Sequence, residues 1–150
     1  MNAGTEVLRV RPFESERQKA MFNLAYSYQM ILGRTVQVLK KYELNDQHYN
    51  ILKILQEADP AQLLIGEVKK QLMDKRGDLS RLIDKLVRRN LVLRETNVEN
   101  RREVLVAIGR EGVALIVDID RQLREERDTK IGLSEPEAKQ LNTLLDKLRG

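Results

Sequence analysis

The residues best placed to do chemistry in this chain are cations, and the chemistry they suit is the binding of a polyanion. From Lys75 to Arg102 there are 9 Lys/Arg against 4 Asp/Glu, a net of +5, whereas the whole 150-residue chain carries +4. Everything outside that segment therefore sums to −1. Basicity that is local rather than diffuse is the electrostatic footprint of a phosphate-binding surface. Covalent chemistry has no comparable support. The chain has no cysteine and one histidine, which removes disulfides and thiolate metal sites and leaves carboxylates as the main donors for any transition metal. There is no glycine-rich phosphate loop, no nucleophile–base pair and no metal-ligand spacing, so neither an enzyme nor a bound cofactor is expected.

The elements that must position these cations can be read around them. Gly77-Asp78 opens a helix whose buried stripe is Leu79, Leu82, Ile83 and Leu86. Asp78, Arg81, Lys85 and Arg88 fall on its wet face, with Ser80 near the edge. The helix ends at Asn90, a residue that tolerates the left-handed conformation of a C-terminal turn. Leu91 to Thr96 and Arg102 to Ile108 read as strands joined by the five-residue loop Asn97-Val98-Glu99-Asn100-Arg101. A basic helix followed by an arginine-tipped hairpin is the order of a winged helix-turn-helix. The helix fits a DNA major groove, where base pairs can be distinguished, while the hairpin reaches phosphates or the narrower minor groove. Taken alone, such a charge run reads first as a solvated helix face; its position just before Arg101 and Arg102 favours nucleic acid. Base readout is expected from Asp78, Ser80 and Arg81, phosphate contacts from Arg76, Lys85 and Arg88, and wing contacts from Asn100, Arg101 and Arg102.

The rest of the chain reads as helix, within one domain spanning 1–150. A first helix is expected over about 13–42, with Leu24, Tyr28, Ile31, Thr35, Val38 and Tyr42 on one stripe. At about 40 Å it would outreach so small a domain, which points to a second chain covering part of its apolar face. Asn45 is a candidate N-cap for a short helix carrying His48, Ile51, Leu52 and Leu55, which Asp59-Pro60 ends. A third helix is expected over Ile65–Met73 and a fifth over about Arg110–Arg127, with Val113, Ile116 and Leu123 facing inward. Ser134-Glu135-Pro136-Glu137 is a capping box with proline in the first turn. It launches a last helix whose Ala138, Leu141, Leu144, Leu145 and Leu148 make a face too apolar for a solvated tail. The expected assembly is a homodimer, with helices 13–42 and 110–149 dimerising and 44–108 forming the DNA-binding lobe. The charged N-terminal stretch is not a signal peptide and no segment is apolar enough to span a membrane, so a cytoplasmic location is expected.

Taken together, these residues resemble the MarR family of dimeric winged-helix regulators. Leu44-Asn45 through His48-Tyr49-Asn50-Ile51-Leu52 is similar to that family's second-helix opening, and Ser80-Arg81-Leu82-Ile83-Asp84-Lys85-Leu86 to its recognition helix. Asn100-Arg101-Arg102 stands where the family usually carries Asp-Arg-Arg in the wing, and Arg110-Glu111-Gly112 matches the signature that opens its fifth helix. The resemblance implies a double-stranded DNA partner, a pseudo-palindromic operator, and repression relieved by a small organic effector. Three positions depart from the family pattern: Asn45 for threonine, Asn90 for glycine and Asn100 for the wing aspartate that pairs with the arginine two positions on, here Arg102. His48 has two readings, a hydrogen-bonded core histidine or, with Tyr49, an anchor in an effector pocket. The alternative function is a winged-helix adaptor that binds protein instead of DNA, which would not need +5 on one helix and loop.

Overall fold

The computed structural model describes residues 6, 12–73, 75 and 77–150. Among the described residues the elements follow in the order α1 Glu16–Lys40, α2 Asp46–Gln56, β1 Leu63–Leu64, α3 Ile65–Gln71, α4 Leu79–Arg88, β2 Val92–Thr96, β3 Val104–Ile108, α5 Arg110–Lys130 and α6 Glu135–Arg149. The strands form one antiparallel sheet in the order β1-β3-β2. Val92 pairs with Ile108 and Thr96 with Val104, so β2 and β3 make the wing hairpin. β1 joins the other edge, Leu63 opposite Val106 and Leu64 opposite Leu105. Two residues are too few to show alternation, which is why β1 has no signature in the sequence.

One core holds the lobe together. Ile51, Leu52 and Leu55 of α2, Val68 of α3, Ile83 and Leu86 of α4, and Val92 and Val106 of the sheet are all buried. Leu39 from α1 and Ile116 and Ile119 from α5 pack into the same cluster. Each such side chain contributes about 1.5–3 kcal/mol relative to leaving it exposed. Of the expected inward residues of α5, Ile116 is buried and Leu123 packs partly buried against the core, whereas Val113 is exposed and Gly112 takes its place on the inner face with Ile119. The reason is close approach at Gly112: a Cβ there would stand 2.2 Å from the Leu91 carbonyl oxygen and 2.9 Å from Ile108 Cγ1. Only glycine lets α5 begin against the end of the wing.

Element bounds shift from the expected ones for local reasons. Ser15 caps α1, its hydroxyl accepting from Gln18 N at 3.2 Å, so the helix starts after residue 13. α3 stops at Gln71 because Leu72 turns extended, yet Leu72 stays buried in the core. β3 begins at Val104, since Glu103 N is spent on a turn to Asn100 O at 2.9 Å. α5 runs three residues beyond Arg127. At α6, Ser134 N donates to Glu137 Oε2, the link the capping-box pattern predicts, and Ser134 Oγ donates to the same oxygen. None of the α6 residues is buried. Leu141, Leu144 and Leu148 stay exposed, as do Leu24, Tyr28 and Ile31 on α1 and Val113 and Val117 on α5.

Candidate nucleic-acid interface

Asp78 sets the start of α4 and the aim of Arg81 with one carboxylate. Its Oδ1 accepts from Arg81 N at 3.3 Å, satisfying a helix N–H that has no partner within the helix. Its Oδ2 stands 3.3 Å from Arg81 Nε, while the arginine side chain remains 87% exposed. Arg81 is thus oriented without being covered. Gly77 just before it takes φ +98°, where a Cβ would also crowd the Gln47 amide at 3.3 Å. Ser80 is exposed on the first turn and Arg88 on the last. Arg76 lies outside the described residues.

Lys85 departs from the wet face on which helical spacing places it. It is half-buried, and its Nζ donates to the Glu43 carbonyl oxygen at 3.0 Å; Arg89 Nη1 reaches the same oxygen at 3.4 Å. Glu43 has φ 56°, a left-handed residue in the turn between α1 and α2. Lys85 of α4 and Arg89 at its C-cap therefore tie that turn to the helix, a job that sequence spacing does not reveal because it spans more than 40 residues.

The wing is held by short polar links, and the guanidinium groups of Arg101 and Arg102 are left out of them. Asn97 N donates to Glu103 O at 3.0 Å and Asn97 Nδ2 to Glu103 Oε2 at 3.0 Å, closing the base of the loop. Asn97 Oδ1 accepts from Glu99 N at 3.1 Å, and Asn100 Oδ1 accepts from Arg102 N at 3.2 Å. The asparagine that replaces the family's aspartate therefore orders the backbone of Arg102, leaving the guanidinium to solvent. Arg101 and Arg102 are exposed, and no ion pair joins either to another described residue. Between α3, the start of α4 and the wing lies a groove of about 450 Å³, lined by Lys70, Ser80, Arg94 and Arg102 together with Glu67 and Glu103. Lys70 and Arg94 are cations of this surface that sequence reasoning missed. Arg94 lies on the same face of β2 as buried Val92, toward α4, and is paired there with Asp84, linking the hairpin to the helix.

Residues 44–104 match the model of the MarR family. Over that segment, its winged-helix lobe, the chain is similar to the MarR family. Solved structures agree on the fold. A MarR-like transcription regulator from Bacillus cereus superposes with a TM-score of 0.79 at 16% identity, over 89% of this chain and 96% of that one. A MarR transcription factor from Planctomyces limnophilus is 29% identical with a TM-score of 0.69, over 92% and 98%. A mutant MepR from S. aureus, bound to an oligodeoxyribonucleotide, is 19% identical with a TM-score of 0.62, over 86% and 94%. No curated protein sequence matches the chain.

The MarR-matching segment opens at the α2 N-terminus, and there His48 is structural. Asn45 Oδ1 accepts from His48 N at 2.9 Å, and His48 Nδ1 accepts from Asn45 N at 3.2 Å. This is a reciprocal capping box with histidine in the role usually taken by Glu or Gln. The ring is 3% exposed. Burial, with Lys85 and Arg89 nearby, pushes its pKa down to about 4. A neutral ring whose Nδ1 accepts must carry its hydrogen on Nε2, and Nε2 is buried without a partner among the described residues.

Tyr49, one residue on, faces the other way. It lines a cavity of about 410 Å³ between α1, α2 and α5, with Ile31, Arg34, Asp120, Leu123, Arg124 and Arg127. Its hydroxyl donates to Asp120 Oδ1 at 2.8 Å, and burial plus that carboxylate hold it protonated, its pKa raised well above the ordinary value. Of the two residues expected at an effector pocket, Tyr49 lines this cavity and His48 is not part of its wall. Among the described residues no cluster of His, Cys, Asp and Glu is placed to hold a metal ion, and no helix is long and apolar enough to cross a membrane.

Proposed function

We propose that this chain is a sequence-specific double-stranded DNA-binding transcription regulator, acting as a homodimer on a pseudo-palindromic operator. The observation that carries this reading is the pairing of an aimed, exposed Arg81 at the start of α4 with a wing whose Arg101 and Arg102 engage no described carboxylate. Arg81 and Ser80 would read base edges, with Asp78 contributing mainly by orienting Arg81. Arg88, Arg101 and Arg102 would hold backbone phosphates or the minor groove. Lys85, already bonded to Glu43, is a weaker candidate for phosphate than its spacing suggests, and Arg76 keeps the phosphate role read from the sequence. The MepR complex with an oligodeoxyribonucleotide supports a nucleic-acid partner for this fold.

Dimerisation is supported by the exposed leucines of α6 and the exposed apolar residues of α1 and α5, more apolar surface than a monomer of this size ordinarily leaves in water. Two recognition helices about 34 Å apart would then meet successive major grooves. The cavity beside Tyr49 is the place for a small organic effector, and repression is the proposed sign of regulation. Sedimentation combined with selection of duplexes from a random library tests the whole reading. A dimer that enriches an inverted repeat supports it. A stable monomer, or selection that enriches nothing, overturns it.

A further inference from the structure

We propose that Asp120 is a positioning residue for DNA binding: its carboxylate clamps α2 of the winged lobe to α5, and its place in the cavity wall makes it the point through which cavity occupancy reaches the lobe. This rests on the DNA-binding reading above. The two oxygens of Asp120 are divided between two α2 side chains. Oδ1 accepts from Tyr49 Oη at 2.8 Å, and Oδ2 accepts from Lys53 Nζ at 2.9 Å. Lys53 is further held by Gln56 Oε1 at 3.0 Å and Glu57 Oε1 at 3.4 Å. Asp120 and Lys53 are each 27% exposed, enough shielding for the pair to hold more firmly than an ion pair in open water.

The clamp sits where the fully buried stripe of α5 ends, with Leu123 beyond it packed only partly buried against the core. Gly112, Ile116 and Ile119 are the buried residues of α5, and from Asp120 to Lys130 none is buried. Packing therefore fixes the first half of α5 against the lobe. The second half, which borders the cavity through Leu123, Arg124, Glu126 and Arg127, is tied to α2 through Asp120. A second polar link lies one step away: Tyr42 bonds Asp118, which also pairs with Arg121, and Gln122 donates to Tyr42. That link joins α5 to the turn after α1 and does not reach α2. Asp120 alone among these groups both touches α2 and lines the cavity. An occupant that took the Tyr49 hydroxyl or Lys53 ammonium from Asp120 would free the lobe to change its angle, with no need to touch the α4–wing surface.

The test compares Asp120→Asn, Asp120→Glu and Tyr49→Phe with the unmodified protein on two readouts. The first is affinity for a duplex selected by the unmodified protein. The second is a spin-label distance between Val98→Cys on the wing tip and Thr129→Cys at the end of α5, in a chain with no cysteine of its own. Doubly labelled chains are diluted into excess unlabelled protein. Asp120→Asn is expected to weaken duplex binding about tenfold, a typical coupling between sites, and to broaden the distance distribution while the thermal midpoint moves little. Asp120→Glu should recover part of both effects, and Tyr49→Phe should give a smaller loss of the same kind. Unchanged affinity and an unchanged distribution in Asp120→Asn would overturn the proposal, as would a loss of affinity that merely follows a loss of folding. If the unmodified protein selects no duplex, the DNA-binding reading fails, and the distance distribution alone decides whether Asp120 positions the lobe.

Discussion

The α2–α5 seam and the α4–wing face both carry a dense set of charged groups, and they use them in opposite ways. In the seam the charges answer one another, Asp120 with Lys53 and Tyr49, and beside it Asp118 is matched with Arg121 and Tyr42. On the α4–wing face Arg88, Arg101 and Arg102 are exposed with no ion pair to a described residue, and Arg81 is oriented but uncovered. The hydrogen bonds of the wing go to backbone and to Asn97, Asn100 and Glu103, so they shape the loop without neutralising its cations. Charge that is balanced internally holds a fold together; charge that is ordered but unbalanced is available to a partner.

The largest effect expected from that contrast belongs to the buried side of the lobe. His48 binds its proton less tightly in the fold than the ordinary histidine value of 6.5, at about 4. Stability is therefore whole above 6.5, falls as pH drops through that value and reaches its full loss near 4. The cost is about 3 kcal/mol. Urea unfolding at a series of pH values should show this decline, and His48→Gln should lack that part of it. A decline of the same size in His48→Gln would assign it to other groups.

Next in size is Arg81. Arg81→Ala should leave urea stability nearly unchanged, because its side chain is exposed, while discrimination between selected and random duplex falls by about 1–3 kcal/mol. Equal losses on both duplexes would make Arg81 a phosphate contact. The smallest effect concerns Asn100. Aspartate there keeps the oxygen that accepts from Arg102 N and makes that bond charge-assisted. Asn100→Asp should change stability by less than about 0.5 kcal/mol and raise operator affinity slightly, since a better-ordered wing outweighs one added negative charge. A severe loss of operator binding in that variant, read by fluorescence anisotropy, would contradict this.

Much of the fold was legible because its signals are local. The stripe Leu79, Leu82, Ile83 and Leu86, the Ser134–Glu137 box, and Asn90 at φ 57° each follow from a few adjacent residues. The misses share a cause as well. Lys85 turns to a carbonyl of Glu43, β1 exists only because β3 offers it an edge, and Gly112 displaces Val113 from the inner face because Leu91 lies against it. All three depend on neighbours distant in sequence. Asn45 is readable as a cap, but that His48 completes the box needs the ring's orientation. Tyr49 and Asp120 stand 71 positions apart, and nothing in their spacing announces a bond.

Central to the proposed function is that the wing offers its unbalanced positive charge to a nucleic-acid backbone. The direct measurement of this is the slope of log K against log salt for duplex binding by the unmodified protein, by Arg102→Ala and by the Arg101→Ala/Arg102→Ala double variant. Removing an arginine that neutralises one phosphate should flatten the slope by about 0.9 on each wing, because one fewer phosphate then releases its counterion. Both selected and random duplexes should lose affinity, while urea stability stays where it was. Identical slopes in all three proteins would contradict the claim and place the wing arginines away from the DNA.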